Sequence, residues 1–196
     1  MAINHGNKDA LRNYYLMFEY EDEDSTYKKE SIEFFKKAIE EGDDDAINRY
    51  GVLLCEKKEG VNFDEAIKLF KKAADLGNIV AMVNYAKALL RKGNNDLSTK
   101  EEAIKYFKLS FQNGNSVGMY EYANELLLGD KLDKNVDEAL KYYKMAIDDG
   151  NSKAMLHYGA ALYKGLIEPM DKEEGLKYIK MAADRGELKA LRDLVI

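Results

Sequence analysis

The chain has 196 residues, 46% apolar and 34% charged, which is the composition of a folded domain with a sizeable core rather than of a disordered chain. Its net charge of −6 argues against a general nucleic-acid binder, which needs Lys and Arg to neutralise phosphates. No apolar run approaches the ~18 residues that a membrane span requires, so no membrane insertion is expected.

Cys55 is the single cysteine, so no intramolecular disulfide can form. The opening MAINHGNKDALRNYY lacks a basic stretch followed by an apolar one, so no secretory leader is expected. Both features point to the cytoplasm.

The predicted elements begin after Gly6 and recur along the chain. Glycines at 6, 42, 77, 114, 150 and 186 stand at successive differences of 36, 35, 37, 36 and 36. Four residues past each lies a small residue: Ala10, Ala46, Ala81, Gly118, Ala154 and Ala190. A bulky apolar residue follows at once: Leu11, Ile47, Met82, Met119, Met155 and Leu191. Eight past the glycine come Tyr14, Tyr50, Tyr85, Tyr122, Tyr158 and then Leu194; twelve past it come Phe18, Leu54, Leu89, Leu126 and Leu162. These offsets lie on one face of a helix, here called helix A.

A second helix, helix B, precedes each glycine. Its core pairs are Phe34-Phe35, Leu69-Phe70, Tyr106-Phe107, Tyr142-Tyr143 and Tyr178-Ile179. Small residues flank them at Ser31, Ala66, Ala103, Ala139 and Gly175, and at Ala38, Ala73, Ser110, Ala146 and Ala182, where a neighbouring helix can approach closely. The glycine suits a left-handed C-terminal turn, and the residue after it (Asn7, Asp43, Asn78, Asn115 or Asn151) suits the N-cap of the next helix A.

The connections from A to B, such as CEKKEGVNFDE and RKGNNDLSTKEE, are longer and polar. Capping boxes are expected at Asn62/Glu65, Thr99/Glu102, Asn135/Glu138 and Asp171/Glu174, with only Ser25 or Thr26 available to the first helix B. Helices of about a dozen residues are unstable alone, whereas stacked pairs bury one another's apolar faces. The expectation is therefore a single all-α repeat domain over 1–196, with units at about 7–42, 43–77, 78–114, 115–150 and 151–186 and a partial one at 187–196.

The 36-residue phrase, carried best by DEAIKLFKKAADLGNIVAMVNYA and DEALKYYKMAIDDGNSKAMLHYG, resembles the Sel1-like repeat, a relative of the tetratricopeptide repeat. The resemblance implies a right-handed α/α superhelical solenoid of antiparallel helix pairs. It also implies a non-catalytic scaffold or adaptor for a protein or peptide partner, with no cofactor. The sequence departs from the family pattern in placing Tyr where Leu is usual and Leu or Phe where an aromatic is usual. Cys55 alone sets it apart from relatives cross-linked through Cys pairs, and from the hydrolase activity proposed for them.

Chemistry-bearing motifs are scarce. His5 and His157 are the only histidines, and His157 falls at a surface or groove-edge position of a helix A. Asp133, Asn135 and Asp137 imitate the start of a calcium loop, but Glu138 replaces its required Gly and Lys144 its final Glu. EYEDED, residues 19–24, reads as a solvated loop, and Cys55 as a packed small residue.

In tetratricopeptide arrays helix A lines the concave side. Carried over by resemblance, this places Val83, Lys87, Leu90, Arg91, Val117, Tyr120, Asn124, Leu127, Lys153, Leu156, Tyr163 and Lys164 in a partner-binding groove. Val80, Leu128 and Ala160 lie beside them; Asp9, Arg12, Glu19, Asp45, Cys55 and Glu56 form an acidic N-terminal end. The alternative is that half of the aliphatics pack between adjacent A helices. The last helix A, LKALRDLVI, leaves open a homodimer or a self-assembling structural role through an uncapped stacking face.

Overall fold

The structure, a computed structural model, describes residues 26–56, 63–93 and 96–187. Among them every regular element is an α-helix: α1 Thr26–Glu41, α2 Asp44–Glu56, α3 Phe63–Asp75, α4 Ile79–Lys92, α5 Leu97–Gln112, α6 Ser116–Leu128, α7 Val136–Asp148, α8 Ser152–Tyr163 and α9 Lys172–Asp184. Even-numbered helices are the A helices and odd-numbered ones the B helices. The chain forms two compact bodies, residues 1–88 and 89–196, with the boundary inside α4.

One turn joins B to A throughout. At the end of α7 the Asn151 N–H donates to the Ala146 carbonyl at 2.9 Å and the Gly150 N–H to Ile147 at 2.8 Å. This six-to-one, five-to-two pair satisfies the last carbonyls of the helix. It needs the left-handed φ of 82° at Gly150, which a Cβ would penalise. The Asn151 side chain then accepts from the Ala154 N–H at 2.9 Å and starts α8. Asp43, Asn78 and Asn115 cap α2, α4 and α6 in the same way.

In the first body the core gathers Phe34, Phe35, Ala38, Ala46 and Leu53, with Ile32 and Tyr50 against it. The Tyr50 ring stacks on Phe35 with centroids 5.0 Å apart. The closest helix approach is between α2 and α3. Gly51 has no side chain because the Phe70 ring lies 2.7 Å from where its Cβ would stand.

In the second body Tyr122 and Tyr158, the tyrosines at the repeated position eight past the glycine, each sit between aromatics of the B helices before and after. Tyr122 of α6 meets Phe107 and Phe111 of α5 at 5.5 and 5.6 Å, and Tyr142 of α7 at 5.2 Å. Tyr158 of α8 meets Tyr143 of α7 at 6.0 Å and Tyr178 of α9 at 5.0 Å. Phe107 and Tyr143 are wholly buried, and each such ring contributes about 1.5–3 kcal/mol by leaving water. The tightest crossing pairs α8 with α9, where Gly159 and Gly175 face each other; a Cβ on either would stand 2.6 or 2.7 Å from the other's carbonyl oxygen.

Two expectations about helix starts change. The cap of α5 is Asp96, which accepts from the Thr99 N–H at 2.9 Å and the Thr99 hydroxyl at 2.7 Å. Thr99 therefore lies inside the first turn and is not the cap: its own N–H is the donor that Asp96, three residues upstream, caps. Asn135 and Asp171 cap α7 and α9 as expected, at 3.1 and 2.9 Å. In the box at Asn135 the Glu138 carboxylate accepts from the Asn135 side-chain amide, rather than from its backbone. Asn62 and Ser25 lie outside the described residues.

The A-to-B loops after α6 and α8 each bury one aliphatic. Leu132 is 1% exposed and Ile167 3% exposed, while Leu166 and Met170 beside Ile167 stay in solvent. An aliphatic in a loop has no periodicity, so sequence patterning passes over it. Lys100 of α5 reaches the loop residue Asp133 at 3.0 Å. This ion pair and the Asn135 cap account for two of the residues that mimic a calcium loop.

Candidate interaction face

The A helices present the residues singled out above, and burial sorts them. In the first body Val83 is 4% exposed and closed off, while Lys87 and Val80 face solvent. In the second body Leu90, Tyr120 and Leu127 are buried; Arg91, Val117, Lys153 and Lys164 are exposed; Asn124, Leu156 and Tyr163 are half-buried. Leu128 is exposed and Ala160 half-buried. Asp45 and Cys55 are half-buried in the first body. Asp9, Arg12, Glu19, the Glu56 side chain, His5, the EYEDED run and Leu188–Ile196 fall outside what is described.

Hydrogen bonds between successive A helices fix this face. The Asn84 amide donates to the Asn48 carbonyl oxygen at 2.9 Å, and the Asn78 amide to Asp44 at 2.8 Å. In the second body the Asn151 amide reaches the Ser116 hydroxyl at 3.3 Å. The Tyr120 hydroxyl and His157 Nε2 lie 3.2 Å apart, with the rings edge-to-face at 5.0 Å. Their positions correspond to those of Asn48 and Asn84: one contact recurs with different chemistry.

The second-body pair is part of a polar network. The Tyr143 hydroxyl donates to the Asn124 carbonyl oxygen. The Asn124 side chain also interacts with Tyr120. The contact between Tyr120 and His157 is compatible with a neutral imidazole.

Electrostatics agree with that assignment. Surrounding protein pulls the His157 value below its ordinary 6.5 by desolvation first; Lys153 lowers it further, and Glu121 and Glu187 oppose. The ring is nevertheless exposed, so it is open to solvent while enclosed by neighbouring chain. Burial pushes Tyr120 up to about 12, with Glu121 adding to the effect and the Asn124 bond opposing it. Tyr143 and Tyr122 are likewise raised, by burial first and then by neighbouring negative groups, Glu138 in the case of Tyr122. All three phenols stay protonated at neutral pH; Tyr122 donates to Glu138 and Tyr143 to Asn124.

His157 was legible as a groove-edge residue, but its partner was not, because residues 37 apart are joined only once helices stack. The partner is a phenol. Among the described residues no group of His, Cys, Asp and Glu is arranged to hold a metal ion, and no helix is long and apolar enough to cross a membrane.

The Sel1 repeat family model matches residues 27–43, 45–78, 79–115, 116–151 and 152–187. No curated protein matches the chain. Among solved structures, the chain is similar to a protective antigen of uropathogenic Escherichia coli strains that displays an SLR fold. The TM-score is 0.72 at 23% identity, over 95% of this chain and 40% of that one. The chain thus spans about two fifths of that antigen. A Sel1 repeat protein from Oxalobacter formigenes matches with a TM-score of 0.65 at 28% identity, over 90% of this chain and 73% of that one. One from Klebsiella pneumoniae subsp. pneumoniae matches with 0.60 at 18%, over 95% and 94%.

Proposed function

Because the chain belongs to the Sel1 repeat family, whose members are generally protein-interaction scaffolds, we propose that it is a non-catalytic adaptor binding a partner protein or peptide through its A-helix face. One observation carries the reading. On α6 and α8 the exposed Val117, Lys153 and Lys164 and the half-buried Asn124, Leu156 and Tyr163 surround the fixed Tyr120–His157 contact. The partner that suits such a face has apolar anchors with acidic residues between them. The buried Leu90 and Leu127 support the face from beneath and do not touch the partner. A cytoplasmic setting fits a chain with one cysteine.

The test replaces Val117, Lys153 and Lys164 together by Glu and compares affinity capture with the parent, after circular dichroism confirms equal helicity. Loss of a captured protein supports the reading. Equal recovery of every captured protein overturns it.

A further inference from the structure

The B helices of the second body carry a second face, and it bears lysine at two repeated positions. Lys105, Lys141 and Lys177 stand nine residues before Gly114, Gly150 and Gly186; Lys108, Lys144 and Lys180 stand six before them. All six are exposed. Each pair is three residues apart, hence on one side of its helix, and the same side of α5, α7 and α9.

Among the described residues none of the six has a carboxylate within ion-pair distance, although two lie near the ring of the adjacent tyrosine. The first body differs. Its equivalent Lys36, Lys68 and Lys71 are paired with Glu33 at 2.7 Å, Glu65 at 3.2 Å and Asp75 at 3.1 Å. One reason is visible at α7: Glu138, three residues before Lys141, is held instead by Asn135 and the Tyr122 hydroxyl. Carboxylates stand one helical turn from five of the six (Glu101, Asp137, Asp148, Glu173 and Asp184), so the lysines form a narrow basic stripe between acidic ends.

We propose that this lysine ladder is a docking surface for an acidic polypeptide segment, distinct from the A-helix face. The surroundings favour a single narrow chain over other polyanions. Asp137 and Glu173 are exposed in the first turns of α7 and α9, Glu101 is exposed four residues before Lys105 on α5, and Asp148, Asp149 and Asp184 are exposed at the ends of α7 and α9. Carboxylates therefore flank the lysines on both sides and repel a broad phosphate surface, whether bilayer or duplex, while a strand-wide acidic segment lies between them. Met145, 39% exposed beside Lys144, and Leu176, 45% exposed beside Lys177, offer apolar contact to side chains between the acids. Each exposed Lys–carboxylate contact is weak, so binding depends on several rows at once and falls with salt.

The experiment uses the full chain and a short fluorescent poly-glutamate peptide, read by anisotropy at low and at physiological salt. The triple variant Lys108→Gln, Lys144→Gln, Lys180→Gln should weaken binding by about tenfold. The control Lys36→Gln, Lys68→Gln, Lys71→Gln, at lysines already paired, should leave it within about twofold. The Glu triple on the A-helix face should also leave it unchanged, which separates this surface from the proposed groove. Absence of salt-sensitive binding by the parent, equal binding by the ladder variant, or tighter binding of phosphatidylserine vesicles or an oligonucleotide than of the peptide would each overturn the proposal.

Discussion

Replacing Gly159 by Ala tests whether the α8–α9 crossing is set by backbone contact. Alanine is the better helix former by about 1 kcal/mol, so on propensity alone the variant should gain stability. Contact geometry opposes this. The new Cβ would stand 2.6 Å from the Gly175 carbonyl oxygen and 3.0 Å from both the backbone N and Cγ1 of Ile179. A carbon–oxygen contact relaxes at about 3.3 Å, so the helices must part by roughly 0.7 Å. Ile179 is 2% exposed and has nowhere to retreat. Overpacking of this kind costs about 1–3 kcal/mol, and subtracting the propensity gain leaves a net loss of up to about 2 kcal/mol. Urea unfolding followed by helical circular dichroism should show a lower midpoint at unchanged slope. Adding Gly175→Ala should cost less than it does alone, since both methyl groups occupy one crossing and the first has already opened it. A single variant as stable as the parent, or more so, would refute the reasoning and mean that the spacing of these helices is freely adjustable.

Two further outcomes follow from the turn and from the A-helix network. Asn151→Ala removes the cap on the Ala154 N–H and the bond to Ser116, and should cost about 1–2 kcal/mol in the same unfolding assay, with Asn151→Asp recovering most of it. His157 should titrate below its ordinary 6.5 in a proton NMR titration. With the folded value depressed, the stability this group contributes is complete above pH 6.5 and is lost as pH falls through the imidazole range. The difference in stability between the parent and His157→Gln should therefore shrink on acidification.

The repeat was legible because its determinants are local and periodic. A glycine that must adopt a left-handed turn, an Asn or Asp that caps the next helix, and tyrosines at helical spacing each leave a mark within a dozen residues. Thr99 was misplaced as a cap for a related reason: Asp96 and Thr99 are both residue types that start helices, and only the backbone path decides that the helix begins at Asp96. The candidate face was legible only in outline. Helical offsets place Val83, Leu90, Tyr120 and Leu127 on the A-helix surface, but whether such a residue is covered depends on how far the next helix leans over it.

What the sequence determined by itself is the helix-pair repeat, its turns and its aromatic core, since these follow from short-range sterics and from the spacing of apolar side chains. Tertiary structure alone decided the contacts between residues some 36 apart. It joined Tyr120 to His157 and Asn48 to Asn84, closed Gly159 onto Gly175, and left six lysines out of ion-pair contact. Stacking converts a sequence period into distances, and only distances decide which polar groups find one another and which remain available to a partner.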